Sequence, residues 1–162
     1  MDILRNADIN TFPLFSLKGL CTYAKLLSNY DGDTGDILLM FGDIPMHLKA
    51  RFMGYDTCEM KPSLNDPNRD EKKRRAKLAK QRLWCLCTGL ENDEECKKHH
   101  KTLIKIKCDE YDKYGRLLIL AFPEDYVIDG KDNNSLFKDS INNKMILEGH
   151  GYAYEGGTKK DF

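Results

Sequence analysis

The chain has 162 residues, which leaves room for one domain with one hydrophobic core and one active site. Apolar residues make up 41% and charged residues 32%, and no run approaches the roughly 18 apolar residues of a membrane helix, so a helix-spanning membrane protein is excluded. The formal net charge of zero hides an asymmetry compatible with a polyanionic partner: residues 61–90 carry nine basic and three acidic side chains, whereas the segments on either side are both net acidic.

The N-terminus begins acidic at Asp2, and its apolar patch, Phe12, Leu14, Phe15 and Leu17, is short and interrupted by Pro13 and Ser16. With neither a basic leader nor a small-residue cleavage site, no secretory signal is expected, and residues 1–19 read as an extension before a domain at 20–155 and a tail at 156–162. Six cysteines, Cys21, Cys58, Cys85, Cys87, Cys96 and Cys108, are spread through a chain able to build its own core. Reduced thiols and an intracellular location, compartment unspecified, are the expectation.

Residues 20–29 read as a strand that runs into the turn Tyr30-Asp31-Gly32-Asp33-Thr34-Gly35, followed by an apolar strand from Asp36 to Phe41. After a turn at Gly42-Asp43-Ile44-Pro45, Met46, Leu48, Ala50 and Phe52 alternate with His47, Lys49, Arg51 and Met53, a half-buried strand with Arg51 on its wetter face. Asp66-Pro67 has the form of an N-cap followed by proline at the first helical position. Ala76, Ala79, Leu83, Leu86 and Cys87 then fall on one helical stripe that Gly89 ends. Ile104, Ile106 and Cys108 alternate with lysines, and Asp112-Lys113-Tyr114-Gly115 turns the chain back into Arg116 to Ala121 as a hairpin. A shorter helix runs from Ile141 to Glu148 and stops at Gly149. Short strands with interspersed helices predict an α+β fold, a small, curled antiparallel barrel.

Asp31 and Asp33 are two apart, so in extended backbone both carboxylates share a face, with Asp56 able to join them; hard oxygens of this kind suit calcium or magnesium. An EF-hand is ruled out, because its required glycine and glutamate positions hold Asp36 and Gly42. The competing reading is a turn that spends its aspartates on local hydrogen bonds. Arg51 and Asp56 are separated by an odd number of residues and should face opposite ways unless a bulge at Gly54 lets them converge. If they do, a carboxylate can hold an ion, another can deprotonate water, and a guanidinium can grip phosphate with two donors. A charged strand end in solvent is the alternative. Arg116 could bring a second guanidinium, or belong to an ordinary solvated hairpin.

Lys72, Lys73, Arg74, Arg75, Lys77, Lys80 and Arg82 crowd the first helix and suit either a nucleic-acid backbone or a solvated face. Cys85, Cys87, Cys96, His99 and His100 invite a zinc site, against which Cys-x-Cys is not the usual spacing. Tyr152 and Tyr154 could stack on a base or be buried strand tyrosines.

Together, Asp31-Gly32-Asp33-Thr34, then Arg51 with Asp56-Thr57-Cys58-Glu59, then Asp112-Lys113-Tyr114-Gly115-Arg116, resemble the thermonuclease, or staphylococcal nuclease, family in order, spacing and identity. The resemblance covers roughly residues 20–154 and implies a five-stranded OB-fold barrel with two to three helices and a calcium-dependent nuclease acting on DNA and RNA. By that likeness Asp33, Asp56 and the backbone carbonyl of Thr57 bind one calcium ion, and Asp31 lies close by. Glu59 would activate the attacking water, Arg51 and Arg116 would bind the phosphate and stabilise the transition state, and Lys113 and Tyr114 would sit near a substrate phosphate. Two departures stand out: Cys58 occupies the family's usual proline position, and the segment Glu124 to Asp139 is longer than the family pattern. The reading from another class is a non-catalytic nucleic-acid-binding OB module, which would have lost acidic or arginine positions. A protein-binding scaffold rests on the basic helix alone, and no obligate protein partner is inferred.

Overall fold

The computed structural model describes residues 1–162 except 9, 13, 92–99 and 158–161. Side chains alternate in burial along β1 (Cys21–Asn29), β2 (Thr34–Phe41) and β3 (Ile44–Phe52), so that Ala24, Leu26, Ile37, Leu39, Ala50 and Phe52 share one interior. β2 and β3 pair antiparallel across Gly42-Asp43, with Thr34 opposite Arg51. Pro45, expected in that turn, lies in β3 at an exposed position near the hairpin tip.

β5 (Ile104–Tyr111) and β6 (Leu117–Pro123) form the second hairpin. β5 pairs antiparallel with β1, and β6 pairs parallel with β3, which closes a five-stranded barrel in the order β1-β2-β3-β6-β5. A parallel pair needs a long crossover, and the chain between β3 and β6 supplies it. The result is a small α+β barrel of the OB-fold-like kind that the patterning predicts, mixed rather than wholly antiparallel because of the β3–β6 pair.

Helix α2 (Arg69–Thr88), named after the short α1 (Asp2–Arg5), buries Ala76, Ala79, Leu83, Trp84, Cys87 and Thr88. Trp84 lies beside the expected stripe yet is fully buried, its ring edge-on to His100. Gly89 ends the helix in the left-handed region and donates its N–H to the Cys85 carbonyl at 2.8 Å. The start differs from expectation: Asn68 holds the cap position, while Asp66 accepts the Asn68 N–H at 2.8 Å and pairs with Lys72 at 2.7 Å. Asp66 therefore fixes the turn that precedes the helix rather than the helix itself.

The long segment after β6 contains an unanticipated helix, α3 (Asn133–Asp139), whose first turn Asp132 caps through the Ser135 N–H at 2.8 Å. Leu136 joins Leu120 and Phe122 in a small second core, flanked by Met53, Tyr126, Ile128 and Phe137. The extra length is thus held by apolar contacts of its own. Helix α4 (Ile141–Leu147) follows at once, capped by Ser140, and β7 (Tyr152–Ala153) pairs with β4 (Tyr55–Asp56). Within the stretch read as an N-terminal extension, Leu17 is buried in the barrel core and Gly19 donates to the Cys108 carbonyl at 2.9 Å. Among the described residues no helix is long and apolar enough to cross a membrane, and the five described cysteines are unbridged.

Asn142, fully buried on α4, joins three elements with one amide: it donates to the carbonyls of Met53 at 2.8 Å and Ile119 at 2.9 Å and accepts the Ala121 N–H at 3.0 Å. Replacing it with alanine strips partners from buried backbone groups, each costing about 1–3 kcal/mol. Asn142→Ala should therefore lower unfolding stability by roughly 3 kcal/mol in urea titration, whereas an exposed neighbour such as Lys144→Ala should cost well under 1 kcal/mol.

Candidate active site

The turn between β1 and β2 gives its two aspartates different work. Asp31 Oδ1 accepts the N–H groups of Asp33 at 3.0 Å and Thr34 at 2.7 Å, so the local hydrogen-bonding role weighed for this turn is real for Asp31. Asp33 points inward at 3% exposure, accepts the Thr34 hydroxyl at 2.9 Å and forms an ion pair with Arg51 Nη1.

Arg51 and Asp56 do converge, through a Met53-Gly54 turn that breaks the alternation between β3 and β4. Gly54 sits at φ 87°, and a Cβ there would come within 2.3 Å of the Phe137 ring, so both conformation and space demand glycine. Arg51 Nη2 then reaches the Tyr55 carbonyl at 3.0 Å and Asp56 Oδ1 at 3.3 Å, and Asp56 Oδ2 accepts the Tyr152 hydroxyl at 2.9 Å. The fully buried Tyr55 donates to the Gly32 carbonyl at 2.6 Å, tying β4 to the aspartate turn. A Cβ on Gly32 would lie 2.7 Å from Ala79 Cβ and 2.8 Å from Thr57 Cγ2, so this turn, α2 and the end of β4 approach as closely as glycine allows. Thr57 and Cys58 are buried, the Cys58 thiol donating to the Phe162 carbonyl at 2.9 Å, and Glu59 is exposed.

Arg116 is oriented from its own hairpin. Asp112 Oδ1 accepts the N–H groups of Tyr114 at 2.9 Å and Arg116 at 3.0 Å, while Oδ2 takes Arg116 Nε at 2.7 Å. Burial alone would raise the Asp112 carboxyl, but the hydrogen bonds from Arg116 and Tyr114 outweigh it and hold the group below its ordinary value. Arg116 Nη1 extends to the Thr34 hydroxyl at 3.3 Å and links the second hairpin to the first. Lys113 and Arg116 both lie over the Tyr114 ring, at 5.1 and 5.3 Å.

All nine residues singled out from the sequence, Asp31, Asp33, Arg51, Asp56, Thr57, Glu59, Lys113, Tyr114 and Arg116, line one cleft of about 800 Å³. Tyr30, Lys49, Lys61 and Tyr154 line it too and were not singled out for that role, apart from Tyr154 as a stacking candidate. The paired tyrosines divide: Tyr152 is buried on Asp56, and Tyr154 faces the cleft. Asp112, Tyr55 and Tyr152, which aim the motif residues, left no sequence signal beyond membership of a motif or a short strand.

Burial pushes the Asp33 carboxyl up to about 7, the charge of Asp31 adding to this and the Arg51 guanidinium opposing it. Burial likewise works against the Arg51 charge, but Asp33 and Asp56 more than compensate and hold it above its ordinary value. Among the described residues no three or more His, Cys, Asp and Glu side chains come together as a metal-binding group; Asp33 and Asp56 share Arg51 instead. The zinc alternative finds no support in the described residues: Cys87 is in the core, Cys85 lies 3.7 Å from Arg82 Nη1, and His100 is 2.7 Å from the Leu26 carbonyl. Cys96 and His99 fall outside the described residues.

A carboxyl whose pKa rises on folding binds protons more tightly in the native state, so its contribution to stability is present at low pH and falls as pH climbs from its ordinary value of 3.8 to about 7. Asp33→Asn removes that slope. In chelator, the stability of the variant relative to the parent should improve from pH 4 to about 7 and level off above it in urea unfolding; a constant difference would show that Asp33 does not titrate in this window. No protein-family model matches the chain and no curated protein matches it, so what the cleft does has to be argued from its own residues.

Proposed function

We propose that the chain is a calcium-dependent nuclease of the thermonuclease type, hydrolysing phosphodiester bonds of DNA and RNA by attack of water. The observation that carries this reading is convergence: acidic and arginine residues from the β1–β2 turn, the β3–β4 region and the β5–β6 hairpin line one open cleft. Its charged lining comprises Asp31, Asp33, Asp56 and Glu59 against Lys49, Arg51, Lys61, Lys113 and Arg116, a mixture suited to a cation and a phosphate together.

The donor set fits a hard cation. Asp33 and Asp56 are buried carboxylates facing a common guanidinium, and burial of Asp33 leaves a charge that a divalent ion would stabilise. They and the Thr57 carbonyl would hold it, leaving several of calcium's roughly six to eight positions to water and substrate. When bound, the ion would supply Lewis-acid polarisation of a phosphoryl oxygen. Glu59, exposed in the cleft, takes the proton of the attacking water. Arg116, pre-aimed by Asp112, and Arg51 meet the negative charge that grows on the phosphoryl oxygens, so they favour the transition state over the ground state. Lys113 and Tyr114 hold the phosphate at the cleft mouth.

Purified protein should cleave labelled single-stranded DNA and RNA with calcium and stop on chelation. Glu59→Gln and Arg116→Ala should each lower kcat at least ~100-fold, with DNA binding by Glu59→Gln retained. Equal cleavage in chelator, or unchanged rates in both variants, would overturn the reading; binding without cleavage by the parent protein would favour a non-catalytic module. Because the Asp33 proton must leave before a cation binds, calcium affinity should rise with pH up to about 7 and level off above it, as followed by calorimetric titration at several pH values.

A further inference from the structure

Tyr30, Lys49 and Lys61 line the cleft but have no part in the catalytic arrangement described above. Tyr30 is 59% exposed, although its backbone is fixed by an N–H bond to the Thr34 carbonyl at 2.9 Å. A large aromatic ring left in water on a rigid turn is an apolar face without a partner. Lys49 lies two residues before Arg51 on β3, so the two side chains share a strand face about 7 Å apart along the chain. Lys61 follows Glu59 by two residues, and both lysines are exposed. Neither makes a salt bridge within 4.0 Å among the described residues, unlike Lys72, Arg74 and Arg82, whose charges on α2 are paired with Asp66, Glu71 and Glu148. Positive charge without an ion-pair partner is therefore present in the cleft, beside Arg51 and Glu59, together with an exposed aromatic face.

We propose that Tyr30, Lys49 and Lys61 form a second nucleotide subsite, in which Tyr30 stacks on an unpaired base next to the scissile phosphate and the two lysines hold the flanking phosphate. The substrate class that follows is single-stranded nucleic acid longer than a dinucleotide, because only an unpaired base offers its π-face to a side chain. The inference rests on the nuclease reading of the same cleft and specifies how the substrate enters it.

The test uses the full chain with calcium and two readouts. The first is binding of a fluorescein-labelled single-stranded 12-mer to the Glu59→Gln protein at several salt concentrations. Adding Lys49→Ala and Lys61→Ala should make the slope of log affinity against log salt shallower by about 0.7 for each phosphate that the lysines no longer neutralise. In the same background Tyr30→Ala should weaken binding roughly tenfold, whereas Tyr30→Phe, which keeps the ring, should restore it. The second readout is kcat/KM of the active protein and the same variants on a dinucleotide and on the 12-mer, with a greater loss expected on the 12-mer. Equal losses on both substrates, an unchanged salt slope, or failure of Tyr30→Phe to rescue would overturn the subsite. Tight binding without cleavage by the parent protein, with the slope still reduced by the lysine variants, would remove the nuclease reading and keep the subsite.

Discussion

Arg51 between Asp33 and Asp56 is the interaction around which the rest of the molecule is arranged. The two carboxylates are 3% and 2% exposed, and the guanidinium reaches both as well as the Tyr55 carbonyl. Burying three charges is costly unless each is paired and hydrogen-bonded. Here the surrounding groups fulfil that condition one by one: the Thr34 hydroxyl on Asp33, the Tyr152 hydroxyl on Asp56, and the Asp31 carboxylate on the backbone that carries Asp33. Burial, with the charge of Asp31 adding to it, still drives the Asp33 carboxyl upward despite its guanidinium partner.

Such a cluster can exist only where distant segments are held in register. The β2–β3 pairing sets Thr34 opposite Arg51, and the parallel β3–β6 pair sets Arg51 opposite Leu118, two residues beyond Arg116. Barrel closure therefore carries the second arginine to the first without any direct attraction between them. Helix α2 serves the same end from below. Its Ala79 meets Gly32, and its Lys80 carbonyl accepts from Asn29, so the aspartate turn is pinned against a helix whose own position is fixed by Leu83, Trp84 and Cys87 in the core.

How far this could be read from the sequence depended on whether a feature has a local signal. The strands of the barrel alternate, the glycine that ends α2 marks its own position, and the three motifs name their residues, so the architecture and the membership of the cleft were legible. Features that depend on remote partners were not. Helix α3 has little amphipathic length, and its stability comes from Leu136 packing on Leu120 and Phe122, partners that precede it on β6. Trp84 falls outside a stripe drawn on five residues, yet the barrel end and His100 enclose it. Asn142 reads as a surface amide in a polar run, and only the closed fold shows three backbone groups converging on it. The odd spacing of Arg51 and Asp56 is the instructive intermediate case: alternation alone separates them, Gly54 signals that alternation fails, and the crowding by Phe137 that makes glycine obligatory there is visible only in three dimensions.

The placement of charge bears on what the cleft can accept. On α2 three of the seven cations of the basic run are paired, Lys72 with Asp66, Arg74 with Glu71 and Arg82 with Glu148, Arg75 lies over the Phe162 ring, and Lys73, Lys77 and Lys80 make no ion pair among the described residues. The three engaged cations offer less to a polyanion than the composition suggests, because a phosphate must first displace their carboxylates. The cleft differs. Its five cations and four carboxylates nearly balance in number, but two of the carboxylates, Asp33 and Asp56, are buried on Arg51 at the floor, whereas Lys113 projects with the 72% exposed Tyr114 at the rim. A lone anion would meet the floor's carboxylates, and a lone cation would meet the rim's lysines. Under the proposed function the pair is what such a gradient favours: a cation held by Asp33 and Asp56 and a phosphate between the arginines would each lower the cost of the other.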